Sequence, residues 1–140
     1  MRAVFDTNVL VAGLRSQQGS SYQLLTRLST LPVELCVSVA LVLEYEAVLK
    51  RPGMVPLTHV QIDAFLDFLC AHTLHPTITY LWRPFLDDPN DDMLLELAAN
   101  ANATIVTYNL RDFRGSETLS VEVIDPAALF RRLLKKGWTP

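Results

Sequence analysis

The fold is decided by residues 2–14, which read RAVFDTNVLVAGL. Ala3, Val4 and Phe5 form an apolar run that is too short and too branched for a buried helix, and the run stops abruptly at Asp6. Such a pattern is typical of a central parallel strand, and open α/β sheets bind ligands at the carboxyl ends of their strands. Asp6 therefore has two interpretations, as the N-cap of the helix that follows or as part of a functional site.

Length and composition predict a single globular domain over residues 1–140. Hydrophobic residues make up 50% of the chain and charged residues 19%, which excludes a disordered protein. No apolar run reaches the length of a membrane span and the N-terminus lacks a signal-peptide pattern, so we expect a cytoplasmic protein that does not interact with membranes. Cys36 and Cys70 lie in apolar surroundings without the spacing of a metal site, which favours free thiols.

Helical and strand-like segments alternate along the rest of the chain. We expect helices over residues 20–31, 38–50, 58–73, 88–101 and 126–136, and strands over residues 34–39, 74–78, 104–107 and 121–124. A loop that includes Trp82 and Pro84 precedes the helix start Asp88-Pro89, and residues 109–120 form a second loop. Strands separated by helical crossovers predict a three-layer α/β/α domain with a central parallel sheet of four to five strands.

Acidic residues fall where such a sheet presents its strand ends and helix starts. They are Asp6, Glu44, the neighbours Asp91 and Asp92, and Asp112. Carboxylates held close together repel one another unless a cation lies among them, and Mg²⁺ prefers oxygen ligands. A bound metal can lower the pKa of its water and stabilise charge on a phosphate. These residues therefore favour metal-assisted hydrolysis of a phosphodiester.

Each acid also has a structural interpretation. Acids in the first turn of a helix complement its dipole, and we assign that role to Asp88. Glu44 could be a solvated helix residue, and Asp112 could cap a turn in the NLRDF loop. The histidines His59, His72 and His75 lie on the predicted helix 58–73 or just after it, away from these acids, which argues against a histidine-based metal or triad site. The sequence has no glycine-rich phosphate loop, which argues against a nucleotide-binding site.

Four motifs in order resemble the PIN-domain ribonucleases, in particular the branch of VapC-like toxin components of bacterial type II toxin–antitoxin systems. The motifs are VFDTNVLVAGL, VLEYEAVL, DDPNDDMLLELA and IVTYNLRDF. The resemblance covers almost the whole chain. It implies an endoribonuclease that depends on Mg²⁺ or Mn²⁺, with RNA as substrate, a homodimeric state and a cognate antitoxin as partner.

The resemblance also assigns the site residue by residue. It implies catalytic roles for Asp6, Glu44, Asp92 and Asp112, the first three also as metal ligands. Asp92 follows from alignment on DPNDDM, whereas counting back from IVT favours Asp91. The fourth position belongs to Asn109 or Asp112, and if Asn109 fills it a second metal would be held weakly.

Polar and basic residues complete the expected site. In relatives, the residues that correspond to Asn8 and Thr107 line the same pocket as partners of the acids or of a metal-bound water. We expect Asn8, Thr107, Asn109 and Arg111 to bind substrate, with Arg111 and Arg114 as candidates for the RNA backbone. Their alternative interpretation is that of solvated loop charges.

Two other classes of function compete with the nuclease. The first is a PIN-fold module that binds RNA or protein with little or no turnover, against which the three core acids count. The second is a nucleotide-binding regulatory domain, which would need a phosphate loop. The predicted terminal helix offers apolar residues for a homodimer interface, because Leu129 and Leu133 lie one turn apart beside basic residues.

Overall fold

The computed structural model describes residues 1–78, 86 and 88–140, and these residues form a parallel sheet flanked by helices. The strands are β1 (Arg2–Phe5), β2 (Glu34–Leu35), β3 (Thr104–Val106) and β4 (Val123–Ile124). The α-helices are α1 (Thr7–Arg15), α2 (Ser20–Leu25), α3 (Val39–Leu49), α4 (His59–Ala71), α5 (Pro89–Ala101) and α6 (Pro126–Lys135). The expected loop with Trp82 and Pro84 lies outside the described residues. The predicted fold class is confirmed.

The sheet has the strand order β2-β1-β3-β4, and every neighbouring pair is parallel. Val4 of β1 pairs with Ile105 of β3, and both side chains are completely buried. Strands buried on both faces are uniformly apolar, which is why the short run after Arg2 could be identified from sequence. Helix α5 contacts β1 and β3, so its first turn lies close to the carboxyl ends of the two central strands.

Side-chain caps start the helices at the expected places. Ser38 accepts a hydrogen bond from the Leu41 amide, and Thr58 forms a reciprocal capping box with Gln61. The Asp88 carboxylate accepts a hydrogen bond from the amide of Asn90 at 2.9 Å. These bonds satisfy amide groups that have no partner within the helix itself.

Several element boundaries differ from the predictions. The predicted strand 34–39 is regular only at Glu34 and Leu35, because Ser38 already caps α3. The predicted strand 74–78 is reduced to a single bridge between Leu74 and Cys36. Helix α2 ends at Leu25 instead of residue 31, and residues 109–120 contain two 3₁₀-helices, Leu110–Phe113 and Ser116–Leu119.

Helices α1 and α2 pack closely through a glycine. A Cβ atom at Gly13 would overlap Leu25 Cδ1 and would lie 3.1 Å from the backbone carbonyl carbon of Ser21, so a larger residue here would have to displace Leu25. The contact places Ser21 of α2 in the protein interior, with 2% of its surface exposed. Elsewhere, Cys36 and Cys70 are free thiols, as predicted, although Cys70 is only partly buried. Within the described ranges, no helix has the length and apolar character needed to cross a bilayer.

Candidate active site

A polar pocket of about 200 Å³ opens at the carboxyl edge of the sheet. It is bounded by the end of β1, one face of α3, the first turn of α5 and the segment after β3. Its lining residues are Asp6, Thr7, Asn8, Leu41, Glu44, Asp88, Asn90, Asp91, Met93, Leu94, Asn109 and Asp112. Acids from four separate parts of the chain therefore share one pocket, as the position of strand ends and helix starts predicts.

Asp6 occupies the N-cap position of α1, yet its side chain forms no cap hydrogen bond. Its Oδ2 atom instead accepts a hydrogen bond from Thr107 Oγ1 at 2.8 Å and a weaker one from Asn8 Nδ2 at 3.4 Å. The Asp6 amide donates to the Val106 carbonyl at 2.9 Å, which continues the pairing of β1 with β3. Of the two interpretations of Asp6, the geometry favours a residue of the pocket.

Thr107 holds this arrangement from inside the protein. Its side chain is completely buried, and its hydroxyl donates to Asp6 while it accepts from Asn8 Nδ2 at 3.2 Å and from the Asn109 amide at 3.0 Å. A group with no exposed surface cannot contact a substrate in this arrangement. Thr107 therefore does not line the pocket, contrary to the expectation, and its hydroxyl is a hydrogen-bond partner of the Asp6 carboxylate.

The third acid of the pocket is Asp91, whereas the prediction preferred Asp92. Asp92 is 3% exposed and its Oδ1 atom accepts a hydrogen bond from the Leu86 amide at 2.7 Å. Neighbouring residues on a helix point about 100° apart, and the apolar side of α5 turns Asp92 inward with Leu95 and Asp91 toward the pocket. The structure thus places the named alternative, Asp91, beside Asp6.

Burial and mutual repulsion perturb these carboxyl groups. The pKa of Asp91 is raised to about 7, chiefly by burial and then by the negative charges of Asp88, Asp6, Asp112 and Asp92. Each neighbouring carboxylate makes ionisation of Asp91 more costly. Asp91 therefore titrates near neutral pH when no cation is present.

The pKa of Asp6 is also raised. Burial is the largest cause, and the charges of Asp112 and Glu44 add to it, while the hydrogen bond from Thr107 acts in the opposite direction. The charges of Glu44 and Asp112 thus act on Asp6, and the charge of Asp112 also acts on Asp91. This repulsion is the cost that a bound cation would remove.

The donor set fits a hard divalent cation, but a complete ligand cage is not preformed. In the described part of the chain, no three His, Cys, Asp or Glu side chains form a group that could hold a metal ion. Mg²⁺ usually keeps several waters and takes one or two carboxylates from the protein. Asp6, Glu44 and Asp91 offer such oxygen ligands from three separate places, the residue directly after β1, helix α3 and the first turn of α5.

The remaining predicted site residues lie in or beside the pocket. Asn8, Asn109 and Asp112 line it, so both candidates for the fourth position are present together. Arg111 and Arg114 do not line the pocket and instead border an adjoining open groove. Glu44 is half-buried on α3 and lines the pocket, so it is not a freely solvated helix residue.

Two residues that line the pocket, Asp88 and Asn90, were not predicted from the sequence to do so. Asp88 caps α5, as expected, but it also lines the pocket and raises the pKa of Asp91. Asn90 lines the pocket one residue before Asp91. The signal available in the sequence was the Asp88-Pro89 helix start, because the exposed first turn of a helix at a sheet edge is a common place for functional groups.

Comparison with known proteins identifies relatives at the level of fold. Residues 2–111 of the 140-residue chain match the family model described as PIN domain. No curated protein matches the chain. Among solved structures, VapBC2 from Rickettsia felis bound to a DNA fragment from their promoter is similar with a TM-score of 0.63 and 19% identity over 89% of this chain and 98% of that chain.

Two further structures show the same fold. VapBC-1 from nontypeable Haemophilus influenzae matches with a TM-score of 0.63 and 17% identity over 91% of this chain and 99% of that chain. FitAcB from Neisseria gonorrhoeae matches with a TM-score of 0.58 and 20% identity over 89% of this chain and 97% of that chain.

Proposed function

Because the chain belongs to the PIN-domain family, we propose that it is a metal-dependent endoribonuclease and the toxin of a toxin–antitoxin pair. The observation that carries the proposal is the convergence of Asp6, Glu44, Asp91 and Asp112 on one pocket with the pKa of Asp6 and Asp91 raised. Carboxylates crowded in this way fit hydrolysis assisted by Mg²⁺ or Mn²⁺. The similarity in fold to VapBC and FitAcB supports a cognate antitoxin as partner.

The proposed metal ligands are Asp6, Glu44 and Asp91, with Asp91 replacing Asp92. When bound, a divalent cation supplies a water of lowered pKa and stabilises negative charge on the phosphate. The chain itself contributes orientation, since Thr107 and Asn8 hold the Asp6 carboxylate in place. A ligand that is fixed by its own hydrogen-bond partners loses less freedom when it binds.

The same pocket contains both candidates for the fourth position of the catalytic site. Asp112 and Asn109 both line it; Asp112 can accept a hydrogen bond from a metal-bound water or an RNA hydroxyl, and Asn109 can also donate to an RNA oxygen. We propose that Arg111, which is exposed in the adjoining groove, binds the RNA backbone.

Cleavage of RNA by protein that has been treated with a chelator tests the proposal. Activity should be absent with EDTA and should return with Mg²⁺ or Mn²⁺, and Asp6→Asn and Asp91→Asn should each abolish it. Asp67→Asn, which removes an exposed acid on α4, is the matched control and should retain full activity. Cleavage without metal, or by Asp6→Asn protein free of contaminating nuclease, would refute the proposal.

The same panel decides between the third-acid candidates. Asp92→Asn is expected to keep measurable cleavage, because Asp92 is buried, does not line the pocket, and accepts a hydrogen bond from the Leu86 amide through an oxygen that asparagine retains. Loss of cleavage in a stably folded Asp92→Asn protein, with Asp91→Asn active, would restore Asp92 as the catalytic acid.

A binding module with little turnover is the second candidate. It is favoured by one observation, that the described side chains do not form a ready three-ligand metal group. Such a module would bind RNA with equal affinity in the presence and absence of Mg²⁺ and would not cleave it. Titration calorimetry with Mg²⁺ distinguishes the two candidates, because the nuclease requires a binding isotherm that Asp91→Asn weakens.

A further inference from the structure

An open groove of about 870 Å³ adjoins the acidic pocket. Its lining residues are Tyr108, Asn109, Leu110, Arg111, Asp112 and Arg114, and Asn109 and Asp112 belong to both cavities. A chain that places one phosphate in the pocket can therefore continue into the groove. The groove is formed by the segment that directly follows β3, so its position is fixed by the central sheet.

Tyr108 is the one aromatic residue among the groove's lining residues, and it is held in place at two points. Its hydroxyl is hydrogen-bonded to Ser21 Oγ of α2, and its backbone amide donates to Asn8 Oδ1 at 3.3 Å. Nevertheless, 48% of the residue is exposed. An aromatic ring that is fixed in this way and still open to solvent loses little freedom when it contacts a ligand, and aromatic rings stack on nucleic-acid bases of any identity.

Two cations border the same groove. Arg111 and Arg114 are exposed, and no described Asp or Glu side chain forms an ion pair with either of them. Guanidinium groups bind phosphate oxygens in a bidentate manner. The groove thus combines a fixed aromatic ring with two groups that can bind phosphates. Proteins that bind single-stranded nucleic acids use this combination.

We propose that Tyr108 stacks on an unpaired base of the RNA while Arg111 and Arg114 bind the phosphates beside it, in the groove that adjoins the acidic pocket. The inference deepens the proposed nuclease function and rests on it. Bases of an A-form duplex are stacked on one another and their faces are not available. Stacking on Tyr108 therefore requires an unpaired base and does not depend on the identity of that base.

Fluorescence anisotropy with a labelled single-stranded 12-nucleotide RNA, in EDTA so that nothing is cleaved, measures the stacking contact. Tyr108→Ala should weaken binding about 10-fold or more, as expected for one base–aromatic contact. Tyr108→Phe, which keeps the ring and loses only the bond to Ser21, should bind within about 3-fold of the native protein. Phe68→Ala, which removes an exposed aromatic residue on α4, is the matched control and should bind normally.

A series of RNAs, each with one abasic nucleotide at a different position, identifies the base that stacks on Tyr108. The native protein should lose affinity at one position, and at that position Tyr108→Ala should bind the abasic and intact RNAs equally. If Tyr108→Ala binds within 2-fold of the native protein, or if the abasic series affects both proteins equally, the inference is overturned. That result would point to a polypeptide as the partner of Tyr108.

The salt dependence of the same binding reaction separates the arginines from the ring. Arg111→Ala and Arg114→Ala should each reduce the slope of log K against log salt by about 0.7, the value for one phosphate contact of a single strand. Tyr108→Ala should leave the slope unchanged because stacking releases no counterions. A normal slope in both arginine variants would contradict their role.

Binding and cleavage give separable outcomes. If RNA binds in a Tyr108-dependent manner but is never cleaved with Mg²⁺ or Mn²⁺, the stacking site stands and the nuclease proposal fails. If RNA is cleaved and Tyr108→Ala leaves both affinity and KM unchanged, the nuclease stands and the stacking site is refuted.

Discussion

Replacement of Asp91 by Asn should stabilise the metal-free protein at pH 8. The Asp91 carboxyl is half-buried and faces the charges of Asp88, Asp6, Asp112 and Asp92, which together with burial raise its pKa from the usual 3.8 to about 7. Asparagine has nearly the same size and no charge, so the substitution removes the repulsion without leaving a cavity.

The magnitude follows from the pKa. A rise from 3.8 to about 7 corresponds to about 4 kcal/mol if the whole interaction is lost on unfolding. Because Asp91 keeps contact with solvent, we discount this value to about 1–2 kcal/mol.

The pH dependence has a definite sign. A carboxyl whose pKa is higher in the folded than in the unfolded protein contributes stability at low pH and loses that contribution as pH rises. The native protein should therefore lose stability from this group between about pH 4 and pH 7. The advantage of Asp91→Asn should grow over that range and level off above it.

Urea unfolding in EDTA at a series of pH values between 4.5 and 8 tests this prediction. Asp67→Asn, on the exposed face of α4, controls for the general effect of removing one negative charge. An equal gain at every pH would show that the effect is not electrostatic, and no gain at pH 8 would refute the crowding of carboxylates in the pocket. Saturating Mg²⁺ should stabilise the native protein and have less effect on Asp91→Asn.

Three further outcomes are expected. Thr107→Val keeps the shape of a fully buried side chain but removes the donor to Asp6, so metal-supported cleavage should fall by about 10- to 100-fold while the folded structure is retained in circular dichroism. Gly13→Ala should lower the free energy of unfolding by about 1–3 kcal/mol, because the new methyl group would overlap Leu25 Cδ1, and a normal urea midpoint would contradict this close packing. Light scattering at micromolar concentration should give twice the chain mass of 15.7 kDa, and a monomer would contradict the predicted homodimer without affecting the nuclease proposal.

Most of the element positions could be predicted because local chemistry determines them. Ser38, Thr58 and Asp88 cap the helices that were expected after them, since each side chain satisfies amides within its own first turn. The run after Arg2 was identified as a buried parallel strand from its length and branching alone. These features depend on residues three or four positions apart, which a sequence displays directly.

Features that depend on distant parts of the chain were predicted less well. The residues after Glu34 have strand-like composition, but whether they extend a sheet is decided by Leu74, which pairs only with Cys36. Helix α2 ends at Leu25, and the next amide in the chain after Thr26, that of Arg27, donates to the Leu24 carbonyl three residues back instead of continuing the helical pattern. The strand order of the sheet has no local signal at all.

The choice between Asp91 and Asp92 shows the same limit within the site. Both residues occupy the first turn of α5, and a rotation of about 100° separates their side chains. The rotation of α5 about its axis is set by packing against β1 and β3, which the motif DPNDDM does not encode. Alignment on DPNDDM located the acidic turn but preferred Asp92, whereas counting back from IVT, which includes the end of β3 beneath α5, favoured Asp91, the acid that lines the pocket.

The segment after β3 links the two parts of the proposed site through alternating side chains. Thr107 points inward and orients Asp6, Tyr108 points outward into the groove with its hydroxyl on Ser21, and Asn109 lines the pocket. Asn8 joins them, since its amide nitrogen donates to Asp6 and Thr107 while its carbonyl oxygen accepts the Tyr108 amide. The Asp6 amide donates to the Val106 carbonyl and the Thr107 amide donates to the Ile124 carbonyl, so the pairing of the strands fixes the position of Thr107 relative to Asp6. The register of β3 against β1 therefore determines both the geometry of the acid and the position of the substrate-binding ring.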